Sequence, residues 1–222
     1  TVIGAFDHGI YGLVERVADH LSVPADGQPR QRLWRVYSKY ALLCAGATER
    51  SIAFENNDRP GIMLAGAVRA YANRWATAVG DRIAIFTNND NAHRTAHDLH
   101  QLGVEIAVVI DSRPKAPKSG SFEVLTASEV VNTHGRLGLN SIDVKTPQGL
   151  RQIQVSGLGV SGGWNPNIHL TCHQRGRPQW DAALSAFIPS AELPKGLHVA
   201  GAANGQMTTA AAMQDAVTTA IK

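Results

Sequence analysis

Several groups of side chains in this sequence have the types and spacing that chemistry requires. Gly159-Val160-Ser161-Gly162-Gly163 fits the Gly-x-Ser-x-Gly elbow of serine hydrolases, and Asp181 and His198 follow in the order of a triad. An elbow must run from a strand straight into a helix, but Trp164-Asn165-Pro166-Asn167 follows here, which is turn chemistry. The other strands of a hydrolase sheet are also missing, so Ser161 is not expected to be a nucleophile. His93, His97 and His100 fall at i, i+4 and i+7 on one helical face. A zinc peptidase needs a glutamate between its paired histidines, whereas residues 94–96 read Arg-Thr-Ala. Solvated surface imidazoles are expected, with no metal. Cys44 lies in an apolar run and reads as a buried, inert thiol. Cys172, between His169 and His173, is more exposed but has no assignable aspartate or asparagine partner. No catalytic residue is assigned.

A different chemistry is suggested by residues 82–111. An apolar strand at 82–86 is followed by a helix marked by Ala92, Ala96 and Leu99, then by a buried strand at 104–110 ending at Asp111. A strand–helix–strand of roughly 30 residues is the unit from which dinucleotide-binding sheets are made. Asp111 stands where such a sheet places the carboxylate for a ribose hydroxyl. The phosphate turn, however, reads Thr87-Asn88-Asn89-Asp90-Asn91, with no glycine. Diphosphate must approach bare backbone N–H groups at a helix N-terminus, and Asp90 would place like charge beside it. A degraded nucleotide turn is expected there. Two further glycine turns close apolar strands, Ala45-Gly46-Ala47 and Gly201-Ala202-Ala203-Asn204-Gly205.

The rest of the pattern positions these groups. Strands are expected at 1–6 and 9–17, turning at Asp7-His8-Gly9. A loop at 18–31 leads to a strand at 32–37 and to a run at 40–45 that fits a strand buried on both faces. Asn56-Asn57-Asp58-Arg59-Pro60-Gly61 is a hinge and a domain boundary. Leu64, Val68, Tyr71 and Trp75 then recur at helical spacing. Past a loop at 112–121, strands at 129–133, 139–145 and 152–160 repeat the opening meander coarsely. A short buried strand at 197–200 precedes an alanine-rich helix, whose small residues would let it lie close on the sheet.

Composition narrows the classes. The chain has 222 residues, with 44% hydrophobic and 18% charged content, which excludes intrinsic disorder. Its net charge is +3, and Arg30, Arg32 and Arg35 alternate with Leu33, Trp34 and Val36 as the solvated face of a strand, so no nucleic-acid partner is expected. No apolar stretch approaches the ~20 residues needed to span a bilayer, and no secretory signal opens the chain. Two cysteines without a framework suit a reducing, cytoplasmic compartment. The chain begins at Thr1, directly in a strand-like run, as a piece of something longer would.

Leu43-Cys44-Ala45-Gly46-Ala47-Thr48-Glu49 resembles the strand and Ala-Thr-Gly turn of two-dinucleotide-domain flavoproteins. Val199-Ala200-Gly201-Ala202-Ala203-Asn204-Gly205 resembles their C-terminal Gly-Asp motif, with Ala202 in the aspartate's place. More specifically, Gly4-Ala5-Phe6-Asp7-His8-Gly9 and the spans 55–64, 86–90 and 160–167 together resemble the α subunit of heterotetrameric sarcosine oxidase. The resemblance implies a multi-subunit enzyme that oxidatively demethylates sarcosine, with NAD on the α subunit and FAD and FMN on a partner subunit. The other oxidase subunits are then the partners. By this resemblance the cofactor-binding candidates are Ala45, Gly46, Ala47, Gly201, Ala202 and Asn204, beside Asp111. The expected fold is α/β, with two Rossmann-like lobes, the second inserted into the first, and the first lobe's N-terminal strand–helix unit missing. The outer lobe would be 1–57 with 178–222, and the inserted NAD-type lobe 58–177. Gly46 and Gly201 must end neighbouring strands of one sheet. Two alternatives stay open: a non-catalytic interaction lobe with decayed nucleotide sites, and the NAD(H)-using domain of another flavoprotein oxidoreductase.

Overall fold

A computed structural model describes residues 1–221 of the chain. It is an α/β fold of two Rossmann-like units, one inserted into the other. The outer unit is Thr1–Thr48 with the chain from Asn165 onward, and the inserted unit is Glu49–Trp164.

The outer unit opens with an antiparallel meander of β1 (Val2–Phe6), β2 (Ile10–Arg16) and β3 (Gln31–Tyr37). Gly9 is required at its first turn, because φ is +70° and a Cβ there would collide with the Ser38 carbonyl. Next come β4 (Ala41–Leu43) and β5 (Ala47–Glu49), on which the chain leaves this unit.

The inserted unit is a three-layer sandwich. Its strands are β6 (Ile62–Leu64), β7 (Arg82–Thr87), β8 (Glu105–Asp111), β9 (Glu123–Leu125) and β13 (Gly157–Ser161), parallel throughout in the order β6-β13-β7-β8-β9. One face carries α1 (Ala65–Trp75) and α2 (Asp90–Gln101), and the other an antiparallel meander of β10 (Glu129–His134), β11 (Ser141–Thr146) and β12 (Gly149–Gln154). Side chains alternate across the sheet: Ile83 and Ile85 join Val68, Ala92 and Leu99 on the helix side, while Ala84 and Phe86 join Ile142 and Val144 on the other. Coverage of both faces is why these strands read as unbroken apolar runs. Gly159 lets α1 approach: a Cβ on it would stand 2.7 Å from Ile85 Cδ1 and 3.4 Å from Ala65 Cα.

The chain returns through β14 (Trp164–Pro166) to α3 (His169–Cys172), a hairpin of β15 (Gln179–Asp181) and β16 (Ala186–Ile188), then β17 (Leu197–Val199) and α4 (Thr209–Ala220). β17 pairs in parallel with β4, and Tyr40 stacks on His198 at 4.2 Å between ring centroids.

Four expectations are corrected in detail. The units divide at 48/49 and 164/165 rather than 57/58 and 177/178. Arg50 N and Gly162 N exchange bonds with Gly163 O and Arg50 O, and Glu55 N bonds Val131 O, so 49–57 belongs to the inserted unit. Ala5 N and the Phe6 carbonyl bond His173 and Gln174, which ties 165–177 to the outer unit. The single strand at 152–160 is two strands, because Val155 N turns to Asn140 O and Ser156 N to Arg82 O, passing the chain from meander to parallel sheet. The run at 40–45 is only half-covered: every residue of β4 is partly exposed, and its sheet is just two strands wide. For the same reason α4 finds little sheet to lie on, and none of its residues is buried.

Candidate functional site

In the inserted unit the strand order turns back on itself between β7 and β13, the crevice where an open α/β sheet binds its ligand. Here the ends of the two strands are tied together by an asparagine turn. Asn89 caps α2, accepting from Ala92 N at 3.3 Å, while its Nδ2 donates to Ser161 O and Oγ, each at 3.1 Å. Asn88 N donates to the same Ser161 carbonyl at 3.3 Å, and Asn89 N to Thr87 Oγ1 at 3.0 Å. The asparagine turn thus joins the ends of β7 and β13. Ser161 is buried and held in this network. Glu49 Oε2 accepts from Gly66 N at 2.8 Å, at the start of α1. Burial raises the Glu49 pKa, against the opposing pull of hydrogen bonds from Ser161 and Gly66. Asn89→Ala removes the cap and both bonds to Ser161, and a loss of about 1–2 kcal/mol in urea unfolding is expected.

Asp111, expected to face a ribose, is instead buried, with every oxygen engaged inside the protein. Oδ1 accepts from Arg113 N at 2.9 Å and Nε at 3.0 Å. Oδ2 accepts from Arg113 Nη2 at 2.8 Å and lies 2.8 Å from His93 Nε2, which carries the proton toward an ionised carboxylate. Burial alone would raise the Asp111 pKa, but the bonds from His93 and Arg113 outweigh it and hold the group at about 2. Arg113 also reaches Asp90 Oδ1 at 2.7 Å, so the carboxylate expected to repel phosphate is already paired. His93 is therefore no surface imidazole. The other two histidines of that face lie against Phe122, with ring centroids 4.9 Å (His97) and 6.0 Å (His100) away.

In the outer unit, the turns after β4 and β17 open onto one cleft of about 460 Å³. Gly46, Gly201 and Ala202 line it from the turns, and Thr208, Ala212 and Met213 from the α4 side. Gly46 has φ +71° and Gly201 φ +74°, conformations natural to glycine, and no atom stands within 4 Å of where a Gly46 Cβ would be. Asn167 holds the first turn, donating from N to Gly46 O and from Nδ2 to Ala45 O, both at 2.9 Å; Ala47 begins β5 just beyond. Asn204 ends the 3-10 turn Gly201–Asn204 and bonds Asp215. So the six candidates of the outer unit meet around two adjacent turns, whereas Asp111 lies in the inserted unit.

Cys44 corrects a further expectation. It lies just beyond β4, exposed, and lines the cleft. Sequence reasoning missed Met213 and Asp215 as well. Asp215 carried a signal: it is the lone acidic residue between 193 and 222. Among the described residues no group of three or more His, Cys, Asp and Glu side chains could hold a metal, and no helix is long and apolar enough to cross a membrane.

No protein-family model matches the chain. Over 205 residues, 91% of this chain, it is 42% identical to the sarcosine oxidase subunit alpha of Rhizobium meliloti (strain 1021). It is 36% identical over 234 residues, 99% of this chain, to that of Corynebacterium sp. (strain U-96). The chain is homologous to part of the sarcosine oxidase α subunit. It spans only 21% of the first relative's length and 24% of the second's. Solved structures show the same fold. L-proline dehydrogenase from P. horikoshii superposes with a TM-score of 0.65 at 20% identity, over 91% of this chain and 35% of its own. T. acidophilum thioredoxin reductase gives 0.64 at 12%, over 83% and 65%. At these identities the two structures share this chain's fold and carry nothing more.

Proposed function

We propose that the outer unit forms one wall of an NAD site in an oxidoreductase subunit of the sarcosine oxidase type, and that amine oxidation proceeds on other parts of the assembly, with other subunits as partners. The observation that carries this reading is the cleft at the ends of β4 and β17, where two glycine turns with positive φ converge. Kinship with sarcosine oxidase α subunits supports the choice of an oxidoreductase. The residues present fit a bound nucleotide: Gly46 and Gly201 bring bare main chain to the cleft, and Ala45, Ala47, Ala202 and Asn204 flank them. NAD, when bound, would supply a nicotinamide able to accept hydride. This chain's part is to bind and orient it through the 45–47 and 201–204 turns, with Met213 and Ala212 shielding it from water.

Cys44 supplies the test. Its thiol lines the cleft, whereas Cys172 is exposed outside it. With NAD at about 10 mM, above a millimolar Kd, alkylation of Cys44 should slow by about twofold or more while Cys172 reacts at its former rate. Equal rates with and without NAD at Cys44 would remove the proposal.

For the inserted unit a second reading is favoured by one observation, the bonds by which Asn89 ties the β7 end to Ser161 on β13. There the unit acts as a structural lobe with no nucleotide, and Asp111 anchors it rather than binding ribose.

A further inference from the structure

We propose that Asp215 is a positioning residue for the cofactor cleft, setting the 201–204 turn from the neighbouring helix. The inference rests on the reading of that cleft as a dinucleotide site. Gly201 N donates to Asp215 Oδ2 at 2.9 Å, and Asn204 Nδ2 donates to the same oxygen at 3.2 Å. One carboxylate therefore clasps both ends of the four-residue turn. The turn adds its own closures, Gly205 N to Ala202 O and Gln206 N to Gly201 O, each at 3.1 Å. Asp215 sits on α4, whose start is fixed by Thr208 Oγ1 accepting from Ala211 N at 3.2 Å. Ala212 and Met213, which line the cleft, precede it by less than one turn of that helix. The same helix thus sets both the floor of the cleft and the turn at its rim.

Ala202 has no side-chain oxygen to hold the turn. Among the described residues Asp215 is the carboxylate that hydrogen-bonds it, and ionised acceptors make the stronger bonds. A carboxylate close to a diphosphate could instead act through charge alone, by repulsion. The two roles have opposite signs. If Asp215 positions the turn, removing its charge loosens NAD. If it only repels, removing the charge tightens NAD.

The experiment is NAD protection of Cys44 from alkylation, measured on the whole 222-residue chain, with thermal unfolding of each variant alongside. Asp215→Asn keeps the shape and a neutral carbonyl acceptor but removes the charge. The half-protecting NAD concentration should rise about tenfold, the scale of one charge-assisted hydrogen bond. Asp215→Glu keeps the charge and displaces the oxygens by one methylene, with an expected rise of about threefold. It carries the test if Asp215→Asn fails to fold. Tighter protection in Asp215→Asn, or unchanged protection in either variant whatever its melting temperature, would overturn the proposal. A wild-type chain that NAD does not protect at all would overturn the cleft reading itself. A protected wild type with indifferent variants would overturn the role of Asp215 alone.

Discussion

Asp111→Ala should destabilise the inserted unit by about 3–5 kcal/mol, read as a lower urea midpoint. The substitution leaves His93 buried without its acceptor and Arg113 without its main partner, since the remaining Asp90 is exposed on the surface. A charge lost from a buried pair costs more than the pair itself contributes, because the abandoned group stays desolvated. The same site sets an acid sensitivity. The folded pKa of Asp111 is about 2, against an unfolded value near 3.9. Because the folded pKa is depressed, the stabilisation is present in full above about pH 5 and is lost as pH falls towards 2. It amounts to about 2–3 kcal/mol. Asp111→Asn should remove that part of the pH dependence. An unchanged acid profile in Asp111→Asn would show that the carboxylate is not held by His93 and Arg113 as described.

The parallel sheet was legible in the sequence because β7 and β8 are covered on both faces and so read as continuous apolar runs. The adjacency of Gly46 and Gly201 was legible too, since turns of that type end strands that pair, as β4 and β17 do. The lack of glycine in the 87–91 turn was legible as composition alone. The bonds its asparagines make were hidden, because Asn89 finds Ser161 across 72 residues. The burial of His93 was hidden for the same kind of reason. Its helical position beside the apolar stripe allows a solvated ring, and only β8, arriving with Asp111, turns that position inward. An apolar run predicts a Cys44 covered on both faces, yet it stands just beyond the short β4 and is exposed. The unit boundaries moved because backbone bonds such as Arg50 N to Gly163 O carry no side-chain signature.

Neither unit of this chain is expected to complete a dinucleotide site by itself. In the inserted unit Asn89 bonds Ser161 across the ends of β7 and β13, and Asp111 is committed to Arg113 and His93. In the outer unit, the cleft has glycine turns on its walls but no Gly-x-Gly-x-x-Gly cradle presenting N–H groups to a diphosphate. Calorimetric titration of the 222-residue chain with NAD measures this directly. The expected Kd is no tighter than about 1 mM, a binding free energy of roughly −4 kcal/mol, at least about a thousandfold weaker than a micromolar site. Saturation in the low micromolar range would contradict this, because one unit would then hold a working site despite its asparagine turn or its missing cradle.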